Sequence, residues 1–285
     1  MQHDAGTLRT DPPTGSGQAG LTLATRRWTP YARPKATVAL VHGIGEHSGR
    51  YAHVATHLML HDLAVHAFDL RGHGRSEGEP RAYVESFDEY VGDLDRFLRE
   101  VRGQQRGPLF LYGHSLGGGI AARYVIEHGT DGLDGLILSS AALQIPSDLS
   151  PILQKLAGTV SRFAPTLPTT KLDTSLLSHD PAVVRAYEND PLVYSGGVRA
   201  RVGHEILRNT EIIQQHPEAF ALPLYLFHGT ADQITDPDGS RWLYEHAPTN
   251  DKTLKLYEGL YHETHNEPER ERVLDDLTAW IEAHV

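Results

Sequence analysis

The chain has 285 residues, 39% hydrophobic and 22% charged, which places it among ordinary globular proteins long enough to bury a sizeable core. With 37 acidic residues against 26 basic ones the formal charge is −11, a field that repels phosphate backbones and argues against nucleic acid as a partner. The absence of cysteine excludes disulfides, zinc–thiolate sites and cysteine nucleophiles.

Residues 1–20 are polar, rich in Gly, Pro and Thr, and lack the apolar stretch of a secretion signal; they read as a flexible tail. No run approaches the roughly 18 apolar residues of a spanning helix, so the cytoplasm is the expected compartment. Leu21 to Trp28 is strand-like and ends at Pro30. Ala36 to Val41 is a continuous run of apolar and branched residues, the pattern of a strand covered on both faces. A Gly-rich loop from His42 to Arg50 leads into a helix ending near Leu60, and Leu63 to Phe68 is the next buried strand. Helical spacing marks Ser86 to Val101, followed by strands at Pro108–Tyr112 and Leu133–Ser139. Between these two strands lies Gly113-His114-Ser115-Leu116-Gly117, a G-x-S-x-G turn in which a serine is exposed at a strand-to-helix elbow. The flanking residues must be nearly bare for strand and helix to close on each other, and the helix N-terminus favours an anion beside Ser115.

The regular alternation argues for a mostly parallel sheet with helices on both faces. It breaks between residues 143 and 216, where prolines punctuate short helical pieces, and resumes to the C-terminus. Residues 21–142 and 217–285 are therefore read as an α/β core. Residues 143–216 are read as a helical lid over the carboxyl ends of the strands, where ligands bind in such sheets. One lid helix is amphipathic through Ile152, Leu153, Leu156, Val160 and Phe163. Its inner face is expected to pack, and Lys155 and Arg162 leave its outer face only weak, transient contact with anionic lipid, a peripheral membrane role at most.

Three residues stand just past strand ends, in the chain order Ser115, Asp232, His262. That order is the one used by α/β hydrolases and differs from those of other serine-hydrolase folds. A serine hydroxyl needs an imidazole to take its proton, and the imidazole needs a carboxylate to fix its tautomer. Asp236 and His265 are local rivals for the acid and the base, and the chain holds 18 histidines. Oxyanion donors are expected from the backbone N–H groups of Leu116 and Ile44. His53, His57 and His61 recur at helical spacing, but no carboxylate interleaves them and His262-Glu263-Thr264-His265 is not H-E-x-x-H. No metal and no cofactor are implied.

The elbow, His42-Gly43-Ile44-Gly45-Glu46-His47-Ser48-Gly49-Arg50-Tyr51, Gly72-His73-Gly74-Arg75-Ser76-Glu77-Gly78 and Lys252 to Gly259 together resemble the monoacylglycerol lipases, serine hydrolases grouped with lysophospholipases. The likeness runs from about Leu21 to the C-terminus. It implies an α/β-hydrolase fold with an inserted lid, a triad of Ser115, Asp232 and His262, and an oxyanion hole at Ile44 and Leu116. It also implies a glycerol site formed by Glu46, Arg50, Tyr187 and His265. Ile44 stands where family members often have Ala, and Leu116 where Met is common. Backbone donation survives both, while the bulkier Ile44 is expected to narrow the acyl channel. The implied activity is hydrolysis of monoacylglycerols to glycerol and fatty acid. Its rivals are a broader carboxylesterase or lysophospholipase on the same triad, and a non-catalytic binding module, which an intact triad disfavours.

Overall fold

The computed structural model describes residues 2–11, 20–104, 107–144 and 151–285, with backbone alone for 151–156. Five strands form the parallel centre of the sheet: β3 (Ala36–Val41), β4 (Leu63–Phe68), β5 (Leu109–His114), β6 (Gly135–Ser139) and β9 (Leu224–Gly229). The sheet runs β1-β2-β4-β3-β5-β6-β9-β10, closed at one edge by β10 (Lys252–Tyr257) and at the other by β1 (Gln2–Arg9) and β2 (Thr22–Thr29). β2 is antiparallel to both β1 and β4, and every other neighbouring pair is parallel.

Alternate residues of the central strands feed two separate cores, as the pleat requires. Ala39, Val41, Leu109, Leu111, Leu136 and Leu138 face one way and pack with α2 (Phe87–Gln104) and α3 (Leu116–His128). Val38, Leu40, Phe110, Tyr112, Ile137 and Phe227 face the other, against α1 (Ala52–Leu60) and α8 (Arg270–Glu282). Burying a branched or aromatic side chain at each position contributes about 1.5–3 kcal/mol, which explains why these strands read as unbroken apolar runs. α7 (Pro237–His246) fills the β9–β10 crossover.

The first residues depart from the expectation of a flexible tail. Residues 2–9 are β1, paired in full register with β2, with Leu8 buried and the His3 ring stacked on Trp28 at 5.0 Å. An edge strand is held by backbone hydrogen bonds and exposes most side chains, so its sequence shows little apolar signal. Residues 12–19 of the expected tail lie outside the described residues.

The expected insertion lies between β6 and β9. It comprises α4 (Pro151–Phe163), a two-stranded ribbon of β7 (Pro168–Thr170) and β8 (Val198–Arg199), α5 (Pro181–Asn189) and α6 (Ala200–Gln215). α6 docks on the core through polar anchors as well as apolar ones. The buried Glu205 accepts the Phe87 N–H at 3.0 Å, and Asn209 Nδ2 donates to the Gly119 carbonyl at 3.1 Å. Of the expected apolar face of α4, Ile152, Leu153 and Leu156 lie outside the described side chains. Val160 is half-buried, but Phe163 is 79% exposed, with the Arg162 guanidinium 5.8 Å from its ring centroid. The stripe therefore does not pack inward along its whole length: at the C-terminal end of the helix it faces outward.

Candidate active site

β5 runs into α3 through Ser115, whose φ of 54° and ψ of −120° lie in a region that side chains rarely occupy. The surroundings hold that strain in place. The Ser115 N–H donates to Ser139, and its carbonyl accepts from Gly118, Gly119 and Ala142 at 3.0–3.2 Å. The flanking glycines are sterically required. A Cβ on Gly113 would lie 2.4 Å from the Gly117 carbonyl oxygen, and one on Gly117 would lie 2.2 Å from that of Val41.

β9 and β10 end side by side, and their loops are laced together by Thr230 N–H to Tyr257 and Ala231 N–H to Leu260. This lacing brings Asp232 to His262. The His262 Nδ1–H donates to Asp232 Oδ2 at 2.7 Å, which leaves Nε2 as the acceptor. Asp236 does not compete: it caps α7, accepting the Asp238 N–H at 2.9 Å. His265 stacks on Tyr51 at 5.0 Å. Asp232 carries further donors, with the backbone N–H groups of Ile234 and Thr235 on Oδ1 and the His228 Nε2–H on Oδ2. The Thr235 hydroxyl lies 2.9 Å from Oδ2 and as close to the Ser140 carbonyl. Burial opposes the carboxylate charge, but His262, His228 and these donors hold Asp232 far below the ordinary aspartate range. For His262 burial works against the imidazolium, yet Asp232 overcomes it and raises the imidazole above its usual value. Ser115, Asp232 and His262 are only 6%, 8% and 4% exposed, so the site is covered.

The loop after β3 is set by two buried side chains. The His42 Nδ1–H donates to the Gly43 carbonyl at 2.8 Å, and its Nε2 accepts the Leu70 N–H at 2.9 Å. In a planar trans peptide the Ile44 N–H must then point away from His42. Glu46 Oε1 accepts the Gly43 N–H at 2.7 Å and the Tyr51 hydroxyl at 2.8 Å, while Oε2 accepts from Arg50 at 2.6 Å. A Cβ on Gly43 would lie 3.1 Å from that of Ser115, so this loop presses directly on the elbow. Among the described residues, neither the Ile44 nor the Leu116 N–H is spent on a backbone or side-chain partner.

Arg50 joins the loop to the histidine segment. It grips Glu263 with two bonds of 2.6 and 2.7 Å, and the Tyr187 ring of α5 sits with its centroid 4.7 Å from the guanidinium carbon. Burial penalises both partners, but Arg50 holds Glu46 below the ordinary glutamate range, and Glu263 and Glu46 raise Arg50. Glu46, Arg50 and Tyr187 thus form one wall, which His265 joins through Tyr51. His114, 4.8 Å from the rings of both His262 and His265, completes it. Burial first, and neighbouring cationic groups next, keep His114 and His265 neutral at ordinary pH.

The insertion is bonded to the loop that carries His262 and to the loop after β3. Glu263 N–H donates to Leu177 at 2.8 Å, and buried Glu267 accepts from Ser178, from both the N–H and Nδ1 of His179, and from the Tyr261 N–H. On the other side Tyr194 N–H donates to Gly45 at 2.7 Å, and His47 Nε2–H to Asp190 at 2.9 Å. A small, mainly apolar cleft lies along this seam, lined by Ile44, Leu172, Thr174, Tyr187, Tyr194 and Val198. It reaches the loop after β3 rather than the side chains of Ser115, Asp232 and His262.

His53 turns its Nε2 to the His265 carbonyl at 2.9 Å, and His57 lies 3.4 Å from Asp275. Among the described residues no three His, Asp or Glu side chains are grouped to hold a metal ion. His114, His228, Thr235, Tyr51 and Glu263 escaped the sequence reading. His228 lies in the same short segment as Asp232, but nothing in its spacing shows that its ring turns back onto the carboxylate.

With this geometry in hand, the sequence profile of the family described as serine aminopeptidase, S33, matches residues 32–269. The chain belongs to that family. As a member, it is 37% identical over 276 residues to the monoacylglycerol lipase of Mycolicibacterium smegmatis, covering 95% of this chain and 96% of that protein. It is 35% identical to the monoglyceride lipase of Homo sapiens, over 92% of this chain and 87% of that one. The crystal structure of Paleococcus ferrophilus monoacylglycerol lipase superimposes with a TM-score of 0.82 at 34% identity, covering 92% of this chain and 99% of that chain. The family and the fold mark this chain as a carboxylic ester hydrolase of α/β-hydrolase architecture.

Proposed function

We propose that this protein hydrolyses monoacylglycerols to glycerol and free fatty acid through an acyl-enzyme. The observation that carries the reading is the Asp232–His262 pair, whose imidazole lies 4.8 Å from the ring of His114, the residue that precedes the strained Ser115. The relatives named as monoacylglycerol lipases support the substrate class. Ser115 Oγ attacks the ester carbonyl while His262 Nε2 takes its proton, and the Ile44 and Leu116 N–H groups hold the oxyanion. Collapse breaks the bond to glycerol, which leaves with the proton from His262. A water deprotonated by His262 then cleaves the acyl-enzyme and restores Ser115.

Glu46, Arg50, Tyr187 and His265 form the proposed glycerol wall, with a division of labour. Glu46 has both oxygens engaged and acts chiefly by holding the Gly43 peptide. The buried His265 Nδ1 has no partner among the described residues and retains capacity for a substrate hydroxyl. The insertion acts as a lid, and the seam cleft takes the acyl chain. Exposed Phe163 and Leu167, next to Arg162, suit weak peripheral contact with a lipid surface. Among the described residues no helix is long and apolar enough to cross a membrane.

The test is a side-by-side panel of monoacylglycerols, diacylglycerols, methyl esters and lysophospholipids. Monoacylglycerols should give the highest kcat/KM, because a site with buried polar groups rejects analogues that leave them unpaired. Lengthening the acyl chain from C4 to C12 should raise kcat/KM by up to about fourfold per methylene, the equivalent of ~0.8 kcal/mol, until the cleft is full. Equal rates on methyl and glycerol esters would instead favour the broader esterase.

A further inference from the structure

Behind the catalytic carboxylate stands a second imidazole. His228, the penultimate residue of β9, is fully buried, and its Nε2 lies 3.0 Å from Asp232 Oδ2, the same oxygen that accepts from His262. Its Nδ1 lies 2.8 Å from Ser240 Oγ on α7, also fully buried. An ionised carboxylate only accepts, so Nε2 carries the proton. In the singly protonated ring Nδ1 then accepts, and the Ser240 hydroxyl, which has no other partner among the described residues, donates to it. Every donor in the row therefore points toward Asp232: Ser240 to His228, and His228 and His262 to Oδ2.

We propose that His228, backed by Ser240, is a positioning residue of the catalytic acid: it shares Asp232 Oδ2 with His262, fixes the carboxylate, and tempers the negative charge that the catalytic imidazole feels. A hydroxyl donating to Nδ1 draws electron density from the ring and makes Nε2–H a stronger donor, so the two residues act as a unit. A buried histidine needing only satisfaction could have bonded a backbone carbonyl, as His42 does. Here both nitrogens face side chains, and one of those is the triad acid. The titratable and charged groups around His262 are Asp232 from the β9–α7 loop, His114 from β5, its neighbour Glu263, and Glu46 from the loop after β3, with Arg50 and His265 behind them. His228 reaches His262 through Asp232 and through the Thr235 hydroxyl, which lies 3.3 Å from His228 Nε2 and from His262 Nδ1.

The inference rests on the triad reading but not on the substrate, so it is tested with a chromogenic butyrate ester and a fluorophosphonate label. Loss of labelling in Ser115→Ala checks the triad separately. His228→Met and His228→Phe remove the donor while filling the space. Oδ2 should then bear more fully on His262, moving the acid limb of kcat/KM to higher pH and lowering kcat by roughly 10-fold or more. His228→Gln, whose amide can still donate to Oδ2, should restore the wild-type limb. Ser240→Ala leaves the ring in place and should move the limb in the same direction by a smaller amount. Limbs for His228→Met and His228→Phe that superimpose on wild type, with only thermal stability lowered, would reduce His228 to core packing. A wild-type limb in Ser240→Ala overturns the proposal whether or not the His228 variants fold.

Discussion

Two buried carboxylate centres flank Ser115, and they are solved differently. Asp232 is ringed by hydrogen-bond donors and by His262, a group whose charge changes twice per turnover in the proposed mechanism. Glu46 and Glu263 share Arg50, a cation that never deprotonates. The attraction of His262 and the donors on both oxygens keep Asp232 ionised, with its charge directed at His262. Arg50 permanently offsets part of their charge and ties the loop after β3 to the histidine loop. The first centre is arranged for a charge that comes and goes, the second for geometry.

Substitutions that remove the nucleophile or the first centre should have the largest effects. Ser115→Ala should fold normally and lose roughly 10⁴-fold or more in kcat, because the triad acts as a unit. Retention of parental esterase activity in the purified variant would remove Ser115 from the site. Asp232→Asn should cost about 10⁴-fold by favouring the wrong imidazole tautomer. The wild-type pH profile should show why. His262 lies above its ordinary value, so kcat/KM should fall as the pH drops through that raised value and the imidazole becomes protonated. The same attraction stabilises the fold below the ordinary histidine value and is lost as the pH rises through the raised one. Asp232 behaves oppositely: its contribution is present above the ordinary aspartate value and is lost on acidification.

Breaking the second centre should show first in stability. Arg50→Met leaves two buried carboxylates without their cation and should cost about 3–5 kcal/mol in denaturant unfolding. A loss under about 1 kcal/mol would mean that water reaches the pair and that the tie is a surface bridge. The smallest effect belongs to Asp236→Asn. It lies four residues from Asp232 in sequence but serves only as the cap of α7, where Asn substitutes well. Its kcat should stay within about twofold of wild type, with stability changed by a few tenths of a kcal/mol. A loss matching that of Asp232→Asn would mean that the two carboxylates had been assigned the wrong way round.

Much of this could be read along the chain. Strands buried on both faces are apolar at most positions, so β3 to β6 and β9 stand out in one dimension, and the glycines around Ser115 are there because two backbones touch. The alternation of strands and helices then points to a mostly parallel sheet, and the order Ser115, Asp232, His262 places the proposed triad just past its strand ends. The polar edge strand β1 did not stand out, because its hold is through backbone groups that every residue carries. Nor could spacing decide between Asp232 and Asp236, or between His262 and His265. Those pairs differ by a turn of chain, and the choice is made by which side chain the lacing of β9 to β10 brings within 2.7 Å. The roles of His228, Glu263 and Arg50 belong wholly to the tertiary structure. Hydrogen bonds and ion pairs depend on distance and direction between residues up to 213 positions apart, and hydrophobic periodicity, which records only which face is buried, carries neither.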